Sequence, residues 1–194
     1  RTTRYGSSAA SDVYKRQEII LSLNNSVKYC SSISSEREID IYGLTFANTM
    51  AMKRSIFCLL EILSNYVVYK NYEFQIFIDG KYKPNFLEFE NSLKIKQFKI
   101  VSNNIIPLIK GDSKSKTIAL ASIIAKETRD NIMRQYSLKY PNYFFNKHFG
   151  YGTIKHKEAI IKHGILGLHR KSFKPMSTIY LSLIHISEPT RQWS

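Results

Sequence analysis

The segment that most constrains the fold runs from Ser115 to Tyr140, because it predicts one long helix. Apolar and small side chains recur along it at helical intervals, at Ile118, Ala121, Ser122, Ala125, Ile132, Met133 and Tyr136. Pro141 follows at once, and helices usually end at or before the residue that precedes a proline. Small residues allow a helix to approach a β-sheet closely, so we expect this helix to pack on strands.

Shorter strand-like and helix-like stretches alternate along the rest of the chain. Strands are predicted at "SVKYCSSI" (Ser26–Ile33), "EFQIFID" (Glu73–Asp79), "KQFKIV" and "IIPLIK", and further helices over Tyr42–Leu63 and "TIKHKEAIIKHG". Ser35 and Glu38 have the spacing of a capping box, in which the two residues satisfy each other's backbone N–H groups at a helix start. The pattern predicts a mixed α/β fold.

Length and charge allow one domain with a hydrophobic core and favour an anionic partner. The chain has 194 residues, of which 43% are apolar, and a formal net charge of +14. An AT-rich gene, which inflates lysine, is one explanation of the charge, and binding to a polyanion such as nucleic acid is the other. No apolar run approaches the roughly 18–20 residues of a membrane span, so no membrane association is expected.

The two cysteines predict a reducing compartment. Cys30 and Cys58 lie far apart in apolar surroundings, and neither belongs to a Cys-x-x-Cys pair or to a Cys/His metal spacing. They are expected to be buried free thiols. The first residues lack the apolar core of a signal peptide, so the cytoplasm is the predicted location.

The two ends of the chain differ from its middle. Residues 1–17 show neither helical nor strand periodicity, and residues 181–194 break from the pattern before them. Both resemble peptides that arise when sequencing-adapter DNA is translated in an assembled reading frame. We predict that both tails are non-native or disordered and that the domain occupies residues 18–176. Genomic DNA that encodes both tails contiguously would contradict this prediction.

Two aspartates have two interpretations each. Asp79 precedes Gly80, as in a hairpin turn, or it is a carboxylate at the carboxyl end of a strand, where α/β sheets place their sites. In one interpretation of the second acid, Asp112, Ser113 or Ser115 caps the following helix. In the other, Asp112 is a metal ligand kept ionised by the flanking Lys110, Lys114 and Lys116. These lysines are also candidates for holding phosphates.

Aromatic and basic residues interleave in "YPNYFFNKHFGYGTIKHKEAIIKHGILGLHRKSFKP". Basic groups attract phosphates and aromatic rings stack on sugars or bases, so the composition suits nucleic-acid binding. Gly150 and Gly152 flank Tyr151, which predicts either a loop that projects the ring or a plain turn with a packed tyrosine. The histidines at 148, 156, 163 and 169 fit no zinc-finger spacing, and most of them are interpreted as surface or capping residues.

Taken in order, the motifs resemble one family. "GDSKSKTIALASIIAKETRD", then "YP", "GYGT", a histidine and "HRKSF" resemble the C-terminal half of bacterial type 2 ribonucleases H, the ribonuclease HII family. "EIDIYGLTFANTMAMKRSI" is similar to the segment before that family's first long helix pair, and "IFIDG" to its central aspartate strand. The resemblance extends from Val27 to Met176.

The resemblance implies a ribonuclease H-like fold, in which a mixed β-sheet is flanked by helices, and an endonuclease. Such enzymes hydrolyse RNA in RNA–DNA hybrids and cut 5′ of single ribonucleotides in duplex DNA, using two Mg²⁺ or Mn²⁺ ions on four carboxylates. Asp79 matches the third carboxylate, Asp112 the fourth, and Tyr151 the tyrosine that packs on the deoxyribose beside the cut. The remaining substrate-binding candidates are Lys110, Lys114, Lys126, Arg129 and Arg170. His169 also falls at a motif position of the family, and for it the resemblance leaves open a phosphate contact or a scaffold role.

One departure from the family changes the expectation for this chain. The family's first two carboxylates lie in an Asp-Glu-Ala-Gly-Arg-Gly motif on the first strand, and no such motif is present. We therefore expect the first strands to be missing and the chain, a monomer, to be inactive. The alternative is a non-catalytic basic module that binds nucleic acid. A second departure is the long stretch between Asp79 and Asp112, which is interpreted as a surface insertion.

Overall fold

A computed structural model describes residues 5–23, 27–65, 75–84, 105–173 and 176–177. The chain divides into two compact units, each described by itself below. The first unit comprises residues 1–33 and 49–128, and the second comprises residues 34–48 and 129–194. No helix in the described part is long and apolar enough to cross a membrane.

The described elements are helices and two short strands, and the strands follow the first three helices. In chain order they are α1 (Tyr5–Ser22), α2 (Glu36–Tyr42), α3 (Leu44–Ser64), β1 (Ile76–Asp79), β2 (Ile105–Leu108), α4 (Gly111–Lys114), α5 (Lys116–Lys139), a 3₁₀ helix (Pro141–Tyr143), α6 (Phe145–His148) and α7 (Ile154–His163). The α/β prediction is confirmed, and so are the helices predicted over the regions of α3, α5 and α7.

The first unit contains a parallel pair of strands. Both strands are rich in isoleucine, whose branched side chain favours the extended backbone. They pair in the register that places Ile76 opposite Ile105 and Asp79 opposite Leu108. The side chains of Ile78 and Ile105 are buried between the sheet and neighbouring apolar residues, which are Met52, Ile56 and Ile76.

The structure contradicts the hairpin interpretation of Asp79. A two-residue hairpin turn is followed directly by the second, antiparallel strand. Residues 81–84, which follow Asp79 and Gly80, form no strand, so the hairpin interpretation is wrong. The N–H of Gly80 instead donates to the carbonyl of Leu108 at 2.9 Å, which extends the pairing past the end of β1.

The second unit has an aromatic core. Its buried apolar residues are Tyr143, Phe145, Ala159, Ile160 and Met176. The rings of Tyr143 and Phe145 stack with their centroids 5.8 Å apart. The hydroxyl of Tyr143 lies 2.9 Å from the carbonyl oxygen of His163 and 2.8 Å from that of Gly164, so this buried donor is satisfied and the end of α7 is held to the core. Burial raises the pKa of Tyr143.

Helix capping follows the sequence signals. The hydroxyl of Ser35 accepts from the N–H of Glu38 at 3.2 Å, and the Glu38 carboxylate accepts from the N–H of Ser35 at 2.9 Å, which confirms the capping box of α2. The hydroxyl of Thr153 caps α7 by accepting from the N–H of His156. Gly164 ends α7 with a φ of 87°, a conformation that glycine adopts at little cost.

The strand predicted at Ser26–Ile33 is wrong, and part of the N-terminal tail is helical. Described residues 27–35 form neither strand nor helix, so the strand at Ser26–Ile33 is not present there. Residues 5–17 belong to α1, although their sequence has no apolar period. The alanine, lysine, arginine and glutamine in α1 are good helix formers, and Gln17 donates to Glu127 of α5 at 3.1 Å. The foreign origin of this tail stays a prediction.

Other expectations fall outside the described residues. They are the strand at "KQFKIV", most of the stretch between Asp79 and Asp112, and the tail at residues 181–194.

The prediction of free thiols is also wrong, because Cys30 and Cys58 form a disulfide. Their Cα atoms are 6.1 Å apart, a separation that suits a disulfide. The two cysteines are far apart in the sequence, so their spacing did not indicate this proximity. They meet because the irregular segment that carries Cys30 returns to α3. The guanidinium of Arg54 on α3 donates to the carbonyl of Ile33 in that segment at 3.1 Å. The cytoplasmic location loses this support and stays a prediction.

Candidate active site

The two candidate catalytic aspartates are linked through one glycine. Asp79 is the last residue of β1, and its side chain is exposed. Its Oδ1 accepts from the N–H of Gly111 at 2.8 Å, and Asp112 is the next residue along the chain. Both acids therefore lie at the carboxyl end of the parallel strands, where α/β sheets place their sites.

Packing around Gly111 is tight. A Cβ at this position would lie 2.6 Å from Cδ1 of the buried Ile118 and 3.3 Å from Oδ1 of Asp79. The end of the Ile118 side chain would have to shift to make room for a larger residue. Lys110, directly before it, has a left-handed backbone with φ 55°, which is uncommon for a residue with a side chain. Such conformations cluster at functional sites.

The capping interpretation of Asp112 lacks a supporting contact. The N-cap residue of α4 is Lys110, and it makes no side-chain capping bond. At the start of α5, the hydroxyl of Ser115 accepts from the N–H of Ile118 at 3.5 Å. The exposed carboxylate of Asp112 lies in the first turn of α4, between the exposed side chains of Lys110 and Lys114.

The donor set suits a hard divalent cation but is small. Mg²⁺ and Mn²⁺ prefer carboxylate oxygens, which Asp79 and Asp112 supply. Within the described ranges, no group of three or more His, Cys, Asp or Glu side chains is placed to hold a metal ion. Two carboxylates fit one part of a two-metal site.

Tyr151 projects from the second unit. Its side chain is 65% exposed, as the loop interpretation of "GYGT" expects. The N–H of Tyr151 donates to the carbonyl of His148, and its carbonyl accepts from the N–H of Thr153, both at 2.8 Å. Phe149 and Gly150 before it both have left-handed backbones. The ring is thus displayed from a tight, hydrogen-bonded turn.

Arg129 contacts the same turn from α5. Its guanidinium carbon lies 5.0 Å from the centroid of the Tyr151 ring, within the range of a cation–π contact. One of its nitrogens donates to the carbonyl of Phe149 at 3.0 Å. Both contacts are within the protein, so the arginine supports the turn and orients the ring.

Three histidines lie beneath the turn, and the prediction that they are surface or capping residues is wrong. His148, His156 and His169 are only 5%, 6% and 6% exposed. They come together because α7 and the segment after it return to the core around Phe145, whose ring lies 5.5 Å from that of His156. No periodic pattern in the sequence predicts that these histidines pack together. Of the four described histidines, only His163, in the last turn of α7, is exposed.

Burial keeps the histidine pair neutral. It lowers the pKa of His169 to about 4, and the neighbouring His156 adds to the shift. Burial likewise lowers the pKa of His156, against the opposing effect of a hydrogen bond to the Tyr151 backbone. Both rings are therefore uncharged at neutral pH.

This neutrality predicts acid sensitivity. An unfolded histidine takes up a proton near pH 6.5, whereas folded His169 does so only near pH 4. The unfolded state therefore binds more protons in that window, and we expect stability to fall as pH drops from about 6.5 towards 4. Urea unfolding across this range measures the effect. The decline should be smaller in His169→Gln, and stability that stays constant or rises on acidification would contradict the assignment.

Arg170 lies in a segment tied to α2. Its guanidinium carbon is 4.1 Å from the centroid of the Phe173 ring. The next two residues donate their N–H groups to the carboxylate of Asp40, Lys171 at 2.8 Å and Ser172 at 2.9 Å. Burial raises the pKa of Asp40, but these hydrogen bonds lower it by more. The pKa of Asp40 is therefore below its ordinary value. Sequence reasoning missed Asp40 because its partners lie more than 130 positions away.

Comparisons with known proteins agree on one family. The profile of the family described as Ribonuclease HII matches residues 14–176. The chain is 40% identical over 160 residues to the Ribonuclease HII of Clostridioides difficile strain 630, covering 82% of this chain and 53% of that protein. It is 36% identical over 172 residues to that of Pseudothermotoga lettingae, covering 88% and 65%. A third relative, from Fusobacterium nucleatum, is 36% identical over 160 residues, covering 82% and 65%. The chain thus spans between about half and two thirds of the length of these relatives.

Proposed function

Because the chain belongs to the ribonuclease HII family and shares its α/β fold class, we propose that it represents an endonuclease acting on RNA–DNA hybrids and on single ribonucleotides in duplex DNA. One observation carries the proposal. The carboxylate of Asp79 is held by Gly111, next to Asp112, at the carboxyl end of the parallel strands. This is the arrangement that a metal-dependent phosphodiesterase needs at its sheet edge.

Asp79 and Asp112 are the proposed metal ligands. When bound, paired Mg²⁺ or Mn²⁺ ions activate a water and stabilise the leaving oxygen. The protein's own contribution is orientation: the Gly111 N–H occupies one lone pair of Asp79 Oδ1 and fixes the direction of the carboxylate. Lys110 and Lys114, on either side of Asp112, are proposed to attract the phosphate backbone.

The exposed ring of Tyr151 is the proposed contact to the sugar of the duplex. An aromatic face packs well on the apolar side of a deoxyribose, and Arg129 limits the directions in which the ring points. We assign Arg129 to orientation of Tyr151, since both of its contacts lie within the turn. Lys126 and Arg170 remain proposed phosphate contacts.

Two of the family's four carboxylates are proposed to be insufficient for cleavage by this chain. Metal affinity depends on the number of ligands, and two acids hold two cations poorly. The 194-residue chain is expected to leave a duplex with one ribonucleotide uncut in Mn²⁺. A Mn²⁺-dependent nick that disappears in Asp79→Asn would contradict inactivity and would support the catalytic role of Asp79.

A longer reading frame gives the sharper experiment. If the upstream DNA encodes the Asp-Glu-Ala-Gly-Arg-Gly motif in frame, the longer protein should nick 5′ of the ribonucleotide. Asp79→Asn should then lower the rate by about 100-fold or more, since metal-assisted charge stabilisation contributes several kcal/mol. Glu158→Gln, an exposed acid on α7, is the matched control and should cut at the normal rate. Equal rates in the two variants would refute the proposed site.

The second candidate function is duplex binding without cleavage. Net charge +14 and the exposed Tyr151 favour it for this chain. Affinity should fall steeply with salt, because each neutralised phosphate releases counterions. A complete upstream gene without the carboxylate motif would favour this function over the nuclease.

A further inference from the structure

The carbonyl of Tyr151 is held by a buried side chain as well as by the backbone. Besides the N–H of Thr153, the ring nitrogen Nδ1 of His156 lies 3.1 Å from this oxygen. The other ring nitrogen, Nε2 of His156, lies 3.1 Å from Nε2 of His169. The backbone of the exposed tyrosine thus connects, through one histidine, to a second histidine in the core.

The positions of the protons in this hydrogen-bond chain can be assigned by starting from His169. The N–H of Leu166 donates to Nδ1 of His169 at 2.9 Å, so neutral His169 carries its proton on Nε2. That Nε2–H donates to Nε2 of His156, and neutral His156 must then carry its proton on Nδ1. The Nδ1–H of His156 donates in turn to the carbonyl of Tyr151. Every bond in the chain has one donor and one acceptor.

His148 anchors the residue before Tyr151 in the same way. Its Nδ1 accepts from the N–H of Gly150 at 3.2 Å, and its Nε2 donates to the carbonyl of Tyr143 at 2.8 Å. The rings of His148 and His156 stack with centroids 4.1 Å apart. All six ring nitrogens of the three buried histidines are therefore engaged within the protein. These bonds hold the left-handed turn before Tyr151 from its buried side.

We propose that His156 and His169 are positioning residues, which hold the Tyr151 backbone through a directional hydrogen-bond chain so that its ring is presented to the duplex. Neither histidine contacts substrate in this assignment. The presentation to a duplex rests on the proposed function, whereas the hydrogen-bond chain is a property of the free protein. The two parts can be tested separately.

The first test reads the tautomers in the unaltered 194-residue chain. Long-range ¹H–¹⁵N NMR at neutral pH distinguishes a proton on Nδ1 from one on Nε2. We expect His169 and His148 to carry the proton on Nε2 and His156 to carry it on Nδ1. A His156 proton on Nε2 would overturn the proposal, whatever the chain does with nucleic acid.

The second test uses two variants of His156 with an amide side chain, each of which keeps one of the two hydrogen bonds of the histidine. His156→Asn places a donor near the position of Nδ1 and retains the bond to Tyr151, whereas His156→Gln reaches the position of Nε2 and retains the bond to His169. The ¹⁵N order parameter of the Tyr151 amide should fall most in the glutamine variant, which loses the bond to Tyr151, and less in the asparagine variant, which loses only the bond to His169. An equal change in both variants would overturn the proposal.

The third test measures affinity for a DNA duplex with one ribonucleotide, in EDTA. Tyr151→Ala should weaken binding about tenfold, within the range known for aromatic stacking. His156→Gln should weaken it by a similar factor, and His156→Asn by less. The double variant Tyr151→Ala/His156→Gln should bind no more weakly than Tyr151→Ala, because His156 acts through Tyr151. Additive losses would overturn the positioning role, and an unchanged affinity in Tyr151→Ala alone would refute the proposed duplex contact.

Discussion

Replacement of Phe145 by alanine is expected to lower the free energy of unfolding of the second unit by about 3–5 kcal/mol. Phe145 is 1% exposed, so truncation removes apolar burial and leaves a cavity that its neighbours fill only partly. The ring also contacts all three buried histidines, with centroid distances between 5.5 and 6.0 Å. Its loss should therefore loosen the support of the Tyr151 turn as well as the core.

Phe144→Ala is the matched control, because it removes the same side chain one position away. Phe144 is 48% exposed, and its left-handed backbone strains alanine as it strains phenylalanine. A loss within about 0.5 kcal/mol is expected for this variant. Urea unfolding followed by circular dichroism, with hydrogen exchange of the α7 amides as the local readout, measures both variants. Similar losses in the two would show that Phe145 does not organise the core.

Reduction of the Cys30–Cys58 disulfide is expected to lower the free energy of unfolding by about 3–4 kcal/mol. The bond closes a loop with a sequence separation of 28, which restricts the unfolded chain. These are the only two cysteines, so a reductant acts at this bond alone. Unfolding in urea with and without dithiothreitol measures the difference.

Single serine variants provide the control for reduction. Cys30→Ser and Cys58→Ser should each lose about the same free energy as the reduced protein, and dithiothreitol should have no further effect on either. Two thiols that react with a thiol reagent in the native, unreduced chain would contradict the disulfide. They would instead agree with the free thiols that the sequence suggested.

Local patterns predicted most helices, because helix formation depends on side chains three or four positions apart in the sequence. The apolar period of α5 and the Ser35–Glu38 capping box are examples of such short-range signals. The exception is α1, where helix-forming residues occur without an apolar stripe. For the strands, the sequence identified β1 and β2 but left their pairing open. The hairpin interpretation of Asp79 was wrong, since residues 81–84 form no strand.

Contacts between distant residues account for what sequence reasoning missed. The disulfide, the clamp of Asp40 on the backbone of Lys171 and Ser172, and the histidine chain all join residues from different elements. Histidine spacing alone does not distinguish a surface ring from one in a buried relay. Burial and the direction of each ring nitrogen depend on how α7 and the following segment pack around Phe145.

Ordered motifs and short-range periods are properties of the sequence, and they identified the family, the helical segments and the candidate residues Asp79, Asp112 and Tyr151. The contact of Gly111 with Asp79 and the three buried histidines beneath Tyr151 became visible only in the folded protein. Packing sets the direction of hydrogen bonds and the burial of side chains, and neither can be read from the order of residues. A backbone N–H aimed at a carboxylate, or a ring nitrogen without water, exists only after the elements have assembled.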